Sequence, residues 1–362
     1  MSSKLHHAPL ALSMGDPAGI GPEIIIKAWL DDPETMGHCC VAGDLAVMQR
    51  AASICQQQLP ASMAAYIPQP VAAATWQSGH SLGGNRLPVL QACEPVQTLP
   101  ALGQVQRAAG QMAAACIEVG ARAVLQGACA ALVTAPIHKE ALHAAGVPYP
   151  GHTEMLQALA AQHQGVAVQS LPVRMMLANT ELKTVLNSIH VSLRDAIEAV
   201  TFDNVLQTIQ ITHAFLMQQE AVRAAGRAPI IAVAGLNPHA GEAGQFGREE
   251  IDIIQPAIAA ARQQGMNVRG PFPPDTVFMT ARENAQHQPP FCDAVIAMYH
   301  DQGLIPVKYL GLQHGVNVTL GLPLLRTSPD HGTAFDLAGT ARADSSSLLE
   351  ATRMALRMSA GV

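Results

Sequence analysis

Three histidines of this chain each stand at or just beyond an apolar run of strand length. His190 closes TVLNSIHV, His239 follows IIAVAGLNP, and His300 follows AVIAMY. Neutral imidazole is the commonest metal ligand in proteins. Three such rings on one cation leave coordination positions open, as in catalytic rather than structural sites. The three lie far apart in sequence, so no local ligand spacing joins them. Any one of the fifteen histidines taken alone more often has a structural role. Their shared placement is what links them, because ligands of α/β proteins gather at the carboxyl ends of strands. Asp301 sits beside His300, and Asp275 lies in the turn PPDTVF. Either carboxylate is of the kind that stands behind a ligating imidazole, and both are candidate catalytic acids or bases.

A second set suits an anion. Arg326 offers a planar fork, Lys308 a point charge, and Thr153 and Asn317 neutral donors, with His152 next to Thr153. Lys308 is one of only five lysines and stands in an apolar, strand-like run. The plainer alternative is that Lys308 extends from a strand end and Arg326 makes a surface ion pair. TAPIHKE (Thr134–Glu140) reads either as a strand end at the site or as a helix entry. GDPAGIGPE (Gly15–Glu23) lies between a strand and a helix. Pro22 suits a first helical turn, and the free N–H groups of such a start can hold an anion. A tight turn that needs glycine is the equal alternative. DHGTAFDLAG (Asp330–Gly339) reads as a turn leading into a helix. It could hold an adenosine through His331, Gly332 and Thr333, with Asp336 accepting from ribose hydroxyls; a loop with a capped helix is the alternative.

The elements that would position these residues alternate. PLALSM, AALVTA, VRMMLA, TVLNSIHV, IIAVAG, AVIAMY and VNVTLG read as strands. Between them lie helical patterns at 104–120, 192–220 and 247–264. This alternation predicts a mostly parallel sheet covered by helices on both faces, here as two lobes with a cleft. The stretch from about 60 to 100 reads as the most irregular. With 49% hydrophobic and 13% charged residues over 362 positions, a large core is assured. A net charge of −6 speaks against a nucleic-acid or anionic-membrane surface. Seven cysteines without a C-x-x-C pair, and no secretory leader, predict a cytoplasmic protein. The chain has no membrane-spanning run.

Together these motifs resemble the 4-hydroxythreonine-4-phosphate dehydrogenase family of vitamin B6 (pyridoxal phosphate) biosynthesis. The resemblance runs nearly end to end, through GDPAGIGPE, TAPIHKEAL, YPGHTE, GLNPHAGE, GPFPPDTVF, YHDQG and VNVTLGLPLLRTSPDHGTAFDLAG. The first and last segments are also similar to those of isocitrate and isopropylmalate dehydrogenases. The implied fold is α/β, with two α/β/α subdomains flanking a cleft, and is not a Rossmann fold. Residues 1–134 and 310–362 would form the nucleotide-side subdomain, and 135–309 the metal-binding and dimerisation subdomain. The resemblance implies that His190, His239 and His300 bind a divalent cation (Zn, Mg or Co), with His300 given by the partner of a homodimer. His152, Thr153, Lys308, Asn317 and Arg326 would hold a phosphorylated four-carbon substrate, and NAD or NADP would take the hydride. Asp275 and Asp301 would keep the site in order. YPGHTE and PPDTVF also resemble a paralogous group acting on 4-phosphothreonate and 4-phosphoerythronate. The segment 161–173 is longer than the family pattern.

Overall fold

The computed structural model describes residues 8–359 apart from 97, 288 and 312–314. The chain divides into two compact units. One runs to Pro172 and resumes at Leu322; the other takes Val173–Gly321. These boundaries fall later than the 134/135 and 309/310 divisions expected from sequence, because the strand ending at Thr134 and the helix His152–Gln164 pack together in the first unit.

The first unit supplies β1 (Leu10–Ser13), β2 (Cys39–Gly43), β3 (Gln69–Ala73), β4 (Arg86–Gln91) and β5 (Leu132–Thr134). The second supplies β6 (Arg174–Ala178), β7 (Lys183–Leu186), β8 (Ile230–Ala234), β9 (Asn267–Phe272), β10 (Ala294–Ala297) and β11 (Val316–Leu320). The chain then returns to the first unit as β12 (Arg326–Pro329). In the first unit the strand order is β3-β4-β2-β1-β5-β12, and every pairing is parallel. This differs from the 3-2-1-4-5-6 order of a Rossmann sheet. In the second unit the order is β11-β6-β7-β10-β8-β9. There β6 runs antiparallel to both β11 and β7, while β7, β10, β8 and β9 are parallel neighbours.

The parallel strands are covered on both faces, which is why LALS, CCVAG, IIAVA and AVIA are buried at every position. Helices provide the cover. Arg107–Leu125 presents Ile117 and Ala121 to Ala11 and Leu132 in one core. His300–Tyr309 presents Leu304 and Val307 to Leu186, Val295 and Phe278 in the other. Several sequence expectations change. The 60–100 stretch contains β3 and β4 rather than irregular chain. The pattern at 192–220 is two helices, Leu193–Glu198 and Phe202–Met217, with a cap at Thr201. Lys308 lies in the last turn of a helix, not in a strand. All seven cysteines are free thiols. Among the described residues no helix is long and apolar enough to cross a membrane.

Helix Arg107–Leu125 meets helix Lys139–Ala144 at Gly110, where an added Cβ would overlap the Ala141 carbonyl oxygen. Backbone on the far side cannot rotate away as a side chain can. Gly110→Ala is expected to lower stability by about 1–3 kcal/mol, read as an earlier urea midpoint with unchanged far-UV circular dichroism before the transition.

Candidate active site

In the second unit, β7, β10 and β8 lie side by side and point the same way. The loops that leave their carboxyl ends carry His190, His300 and His239 respectively. The β7 and β10 loops are tied together. Asn187 N donates to Ala297 O at 2.9 Å, and Ser188 Oγ to Met298 O at 3.0 Å. Consequently the His190 and His300 rings have centroids 5.6 Å apart. His300 opens its helix, and its Nδ1 lies 2.7 Å from the Asp301 carboxylate. A carboxylate on one ring nitrogen sets the tautomer and turns the other nitrogen outward, as for a ligating imidazole. Gln302 bridges further: its Oε1 accepts from Met298 N at 2.7 Å and its Nε2 donates to Gly235 O at 2.8 Å. That joins the β10 loop to the loop bearing His239.

His239 itself is exposed and lies against Phe246, ring centroids 6.3 Å apart. Within this chain it is therefore His190 and His300 that meet. Among the described residues no group of three or more His, Cys, Asp or Glu side chains is placed to hold a metal ion. The donors fit a cation in kind, being imidazoles on adjacent strand ends with one carboxylate behind. Asp275 is exposed on the turn before helix Val277–Glu283. Asn317 is half-buried on β11, opposite Leu177 of β6. Lys308, two turns along the helix that His300 begins, is also half-buried. Residues 312–314 of the stretch that follows lie outside the described residues.

In the first unit, Arg326 opens β12 opposite Leu132 of β5. Its guanidinium is buried, and Nε and Nη2 both donate to Thr134 Oγ1, at 3.0 and 2.7 Å. Burial lowers its pKa to about 10, so it stays charged at neutral pH. A surface ion pair for Arg326 is thereby ruled out. His152 and Thr153 begin the helix His152–Gln164. Burial, and then the nearby Arg326 charge, hold the His152 imidazole well below its ordinary 6.5. Its Nε2 is buried without a hydrogen-bond partner. A buried polar atom without a partner costs on the order of 1–3 kcal/mol, and an anion oxygen would satisfy it. Thr134, taken in the sequence only as part of a strand end or helix entry, is thus a component of this cluster.

The turn Asp330–Gly339 does not lead directly into a helix; the next begins at Ser346. Asp336 is exposed and caps nothing there. The turn instead covers the start of helix Gly21–Asp31. Thr333 O accepts from Ile20 N at 3.0 Å, and the buried Glu23 carboxylate accepts from Gly339 N and Ala341 N. Pro22 occupies the second position of that helix. Phe335 stacks on His138 of TAPIHKE, centroids 4.6 Å apart. His331 and Gly332 are exposed at the tip. The segment 161–173 closes helix His152–Gln164 with a left-handed Gly165 and a single 3-10 turn, held where Gln157 donates to Leu171 O.

The Pyridoxal phosphate biosynthetic protein PdxA family matches residues 35–355. The chain belongs to this family. It is 50% identical to the 4-hydroxythreonine-4-phosphate dehydrogenase of Beijerinckia indica, over 97% of this chain and 95% of that one. It is 42% identical to the D-threonate 4-phosphate dehydrogenase of Salmonella typhimurium, over 96% and 98%. The crystal structure of the 4-hydroxythreonine-4-phosphate dehydrogenase from Klebsiella pneumoniae is similar with a TM-score of 0.83 at 38% identity, covering 99% of both chains. The fold implied by the sequence resemblance is therefore the fold observed. This PdxA-family protein is an oxidoreductase of the dehydrogenase type.

Two outcomes test the Arg326 cluster in the ligand-free protein. Thr134→Val removes an acceptor shared by two buried guanidinium N–H groups and is expected to cost about 1–3 kcal/mol in urea unfolding. His152 takes up a proton more readily unfolded than folded, since its folded pKa is depressed. Stability therefore falls as pH drops through about 6.5. His152→Gln should make that fall shallower between about pH 6.5 and 5, by up to about 1.4 kcal/mol per pH unit. An unchanged slope would mean that the ring titrates freely.

Proposed function

We propose that this chain catalyses NAD-dependent oxidation of 4-phosphooxy-L-threonine at C3, followed by decarboxylation to 3-amino-2-oxopropyl phosphate. The observation that carries this reading is the delivery of His190, His300 and His239 from three adjacent parallel strands. His152, Thr153, Lys308, Asn317 and Arg326 bind the phosphate, and the unsatisfied Nε2 of His152 beside the buried Arg326 supports that assignment. Binding a phosphate remote from the reacting carbon supplies energy for orienting C3. The three histidines orient the C3 hydroxyl and neighbouring amino group. A divalent cation (Zn, Mg or Co), when bound there, supplies Lewis acidity that lowers the alcohol pKa and polarises the keto product. His331, Gly332, Thr333 and Asp336 would hold NAD, whose nicotinamide would supply the acceptor for the C3 hydride. Asp301 fixes the His300 ring through the 2.7 Å bond, and Asp275 and Asp301 remain the candidate general bases.

The reading includes a cytoplasmic homodimer in which His300 comes from the partner subunit, beside His190 and His239 of the first. Within one chain His300 stands beside His190, ring centroids 5.6 Å apart, so the sharing of ligands between subunits rests on the family resemblance alone. The turn bearing His331, Gly332, Thr333 and Asp336 holds the adenosine, and the Asp336 carboxylate favours NAD by repelling a 2′-phosphate. A second substrate reading, 4-phospho-D-threonate or 4-phospho-D-erythronate, is favoured by the 42% identical D-threonate 4-phosphate dehydrogenase.

Steady-state turnover with both phosphorylated substrates, each with NAD and NADP, and with and without chelator, separates these readings. The expected result is a higher kcat/KM for 4-phosphooxy-threonine with NAD, abolished by chelator and restored by cation. A preference for the sugar-acid phosphate transfers the chain to the second reading, and activity indifferent to chelator removes the cation. Arg326→Ala and Lys308→Ala should each weaken phosphorylated substrate by about 1.5–3 kcal/mol, with little effect on its dephosphorylated analogue.

A further inference from the structure

Beyond β8 the backbone enters a conformation that L-residues avoid. His239, Ala240, Gly241, Glu242 and Ala243 have φ of 51, 53, 78, 42 and 55°, one continuous left-handed turn. Four of the five are not glycine. L-residues meet a steric clash in this region, so the turn persists only if its surroundings determine it. The determining group is Glu250, whose carboxylate is buried beneath the turn, with the residue 1% exposed. Oε1 accepts from Leu236 N at 2.7 Å and Asn237 N at 2.8 Å, the two amides leading into the turn. Oε2 accepts from Asn237 Nδ2 at 3.0 Å, and that same amide donates to Glu249 at 2.7 Å. The hollow is cut to the carboxylate. A Cβ on Gly241 would fall 2.6 Å from Oε2, and one on Gly235 3.0 Å from Oε1. A widened π-helical turn, Glu250–Ile254, begins at this residue, a local irregularity common at functional sites.

We infer that Glu250 is the positioning residue for His239, holding the left-handed turn that presents this imidazole as a cation ligand. The inference rests on the proposed cation site. Glu250 touches neither substrate nor cation in this role; it acts by holding the backbone at Leu236 and Asn237, at the entry to the turn. Glutamine at 250 keeps the volume but exchanges one acceptor for an NH2 that opposes the donors around it. Gly241→Ala disturbs the same contact from the turn's side and keeps the carboxylate.

The test measures zinc affinity of the full-length protein by competition with a chelating dye, alongside far-UV circular dichroism and turnover at rising zinc. Wild type, His239→Ala, Glu250→Gln and Gly241→Ala are compared. His239→Ala and Glu250→Gln should each lose at least about tenfold in zinc affinity with the fold retained. Excess zinc should restore kcat in Glu250→Gln and not in His239→Ala. If Glu250→Gln binds zinc like wild type while His239→Ala does not, the positioning role is overturned and the cation site stands. If His239→Ala binds zinc like wild type, the cation site falls and the inference with it. Should Glu250→Gln fail to fold, Gly241→Ala decides: a tenfold loss supports the role, and wild-type affinity overturns it.

Discussion

Parallel pairing of β7, β10 and β8 is the constraint on which the histidine site depends. A parallel strand must be re-entered from the same end, so each strand is followed by a loop on one shared edge. Three imidazoles more than a hundred residues apart end to end thereby meet a common boundary without any local motif. Pairing alone sets the spacing only to within a strand's width. The finer setting comes from bonds between loops: Asn187 to Ala297, Ser188 to Met298, and Gln302 to both Met298 and Gly235. Each is a neutral hydrogen bond worth about 1 kcal/mol net. Together they leave the β10 loop few independent positions.

The first unit solves a different problem, burying charge. Arg326 and Glu23 are both nearly inaccessible, and an ionised group in that position must be hydrogen-bonded to be tolerated. Glu23 is satisfied by backbone amides at Gly339 and Ala341, and Arg326 partly by Thr134. His152 differs in keeping its buried Nε2 without a hydrogen-bond partner in the protein.

Strands that are buried on both faces were legible from sequence because their apolar runs are continuous, as in IIAVA and AVIA. β12 was not, because RTSP is polar yet wholly buried; Thr327 Oγ1 donates to Ala351 O and the Arg326 guanidinium to Thr134 Oγ1, partners remote in the chain. Lys308 shows the converse: LIPVKYL is apolar enough for a strand, yet residues up to Tyr309 form a helix that contains Pro306. The histidines were legible by their position after strands. The pairing of His190 with His300 was not, since it depends on strand order, which no spacing encodes. Glu250 left no distinct signal, being one of three acidic residues, with Glu249 and Asp252, at the start of a helical stretch. Its partners are backbone amides thirteen and fourteen positions earlier, invisible to any side-chain motif.

The first unit is interrupted by the second, and this has a consequence for biosynthesis. Its residues up to Pro172 emerge from the ribosome well before β12 and the helix Ser346–Ser359 that packs on it. Until then Glu23 lacks Gly339 and Ala341, Asp32 lacks Arg353, and β5 lacks one neighbour. The second unit is one unbroken segment and has all its strands once Leu320 is made. Vectorial synthesis therefore completes the inserted unit while the surrounding one is still waiting for β12 to pair with β5.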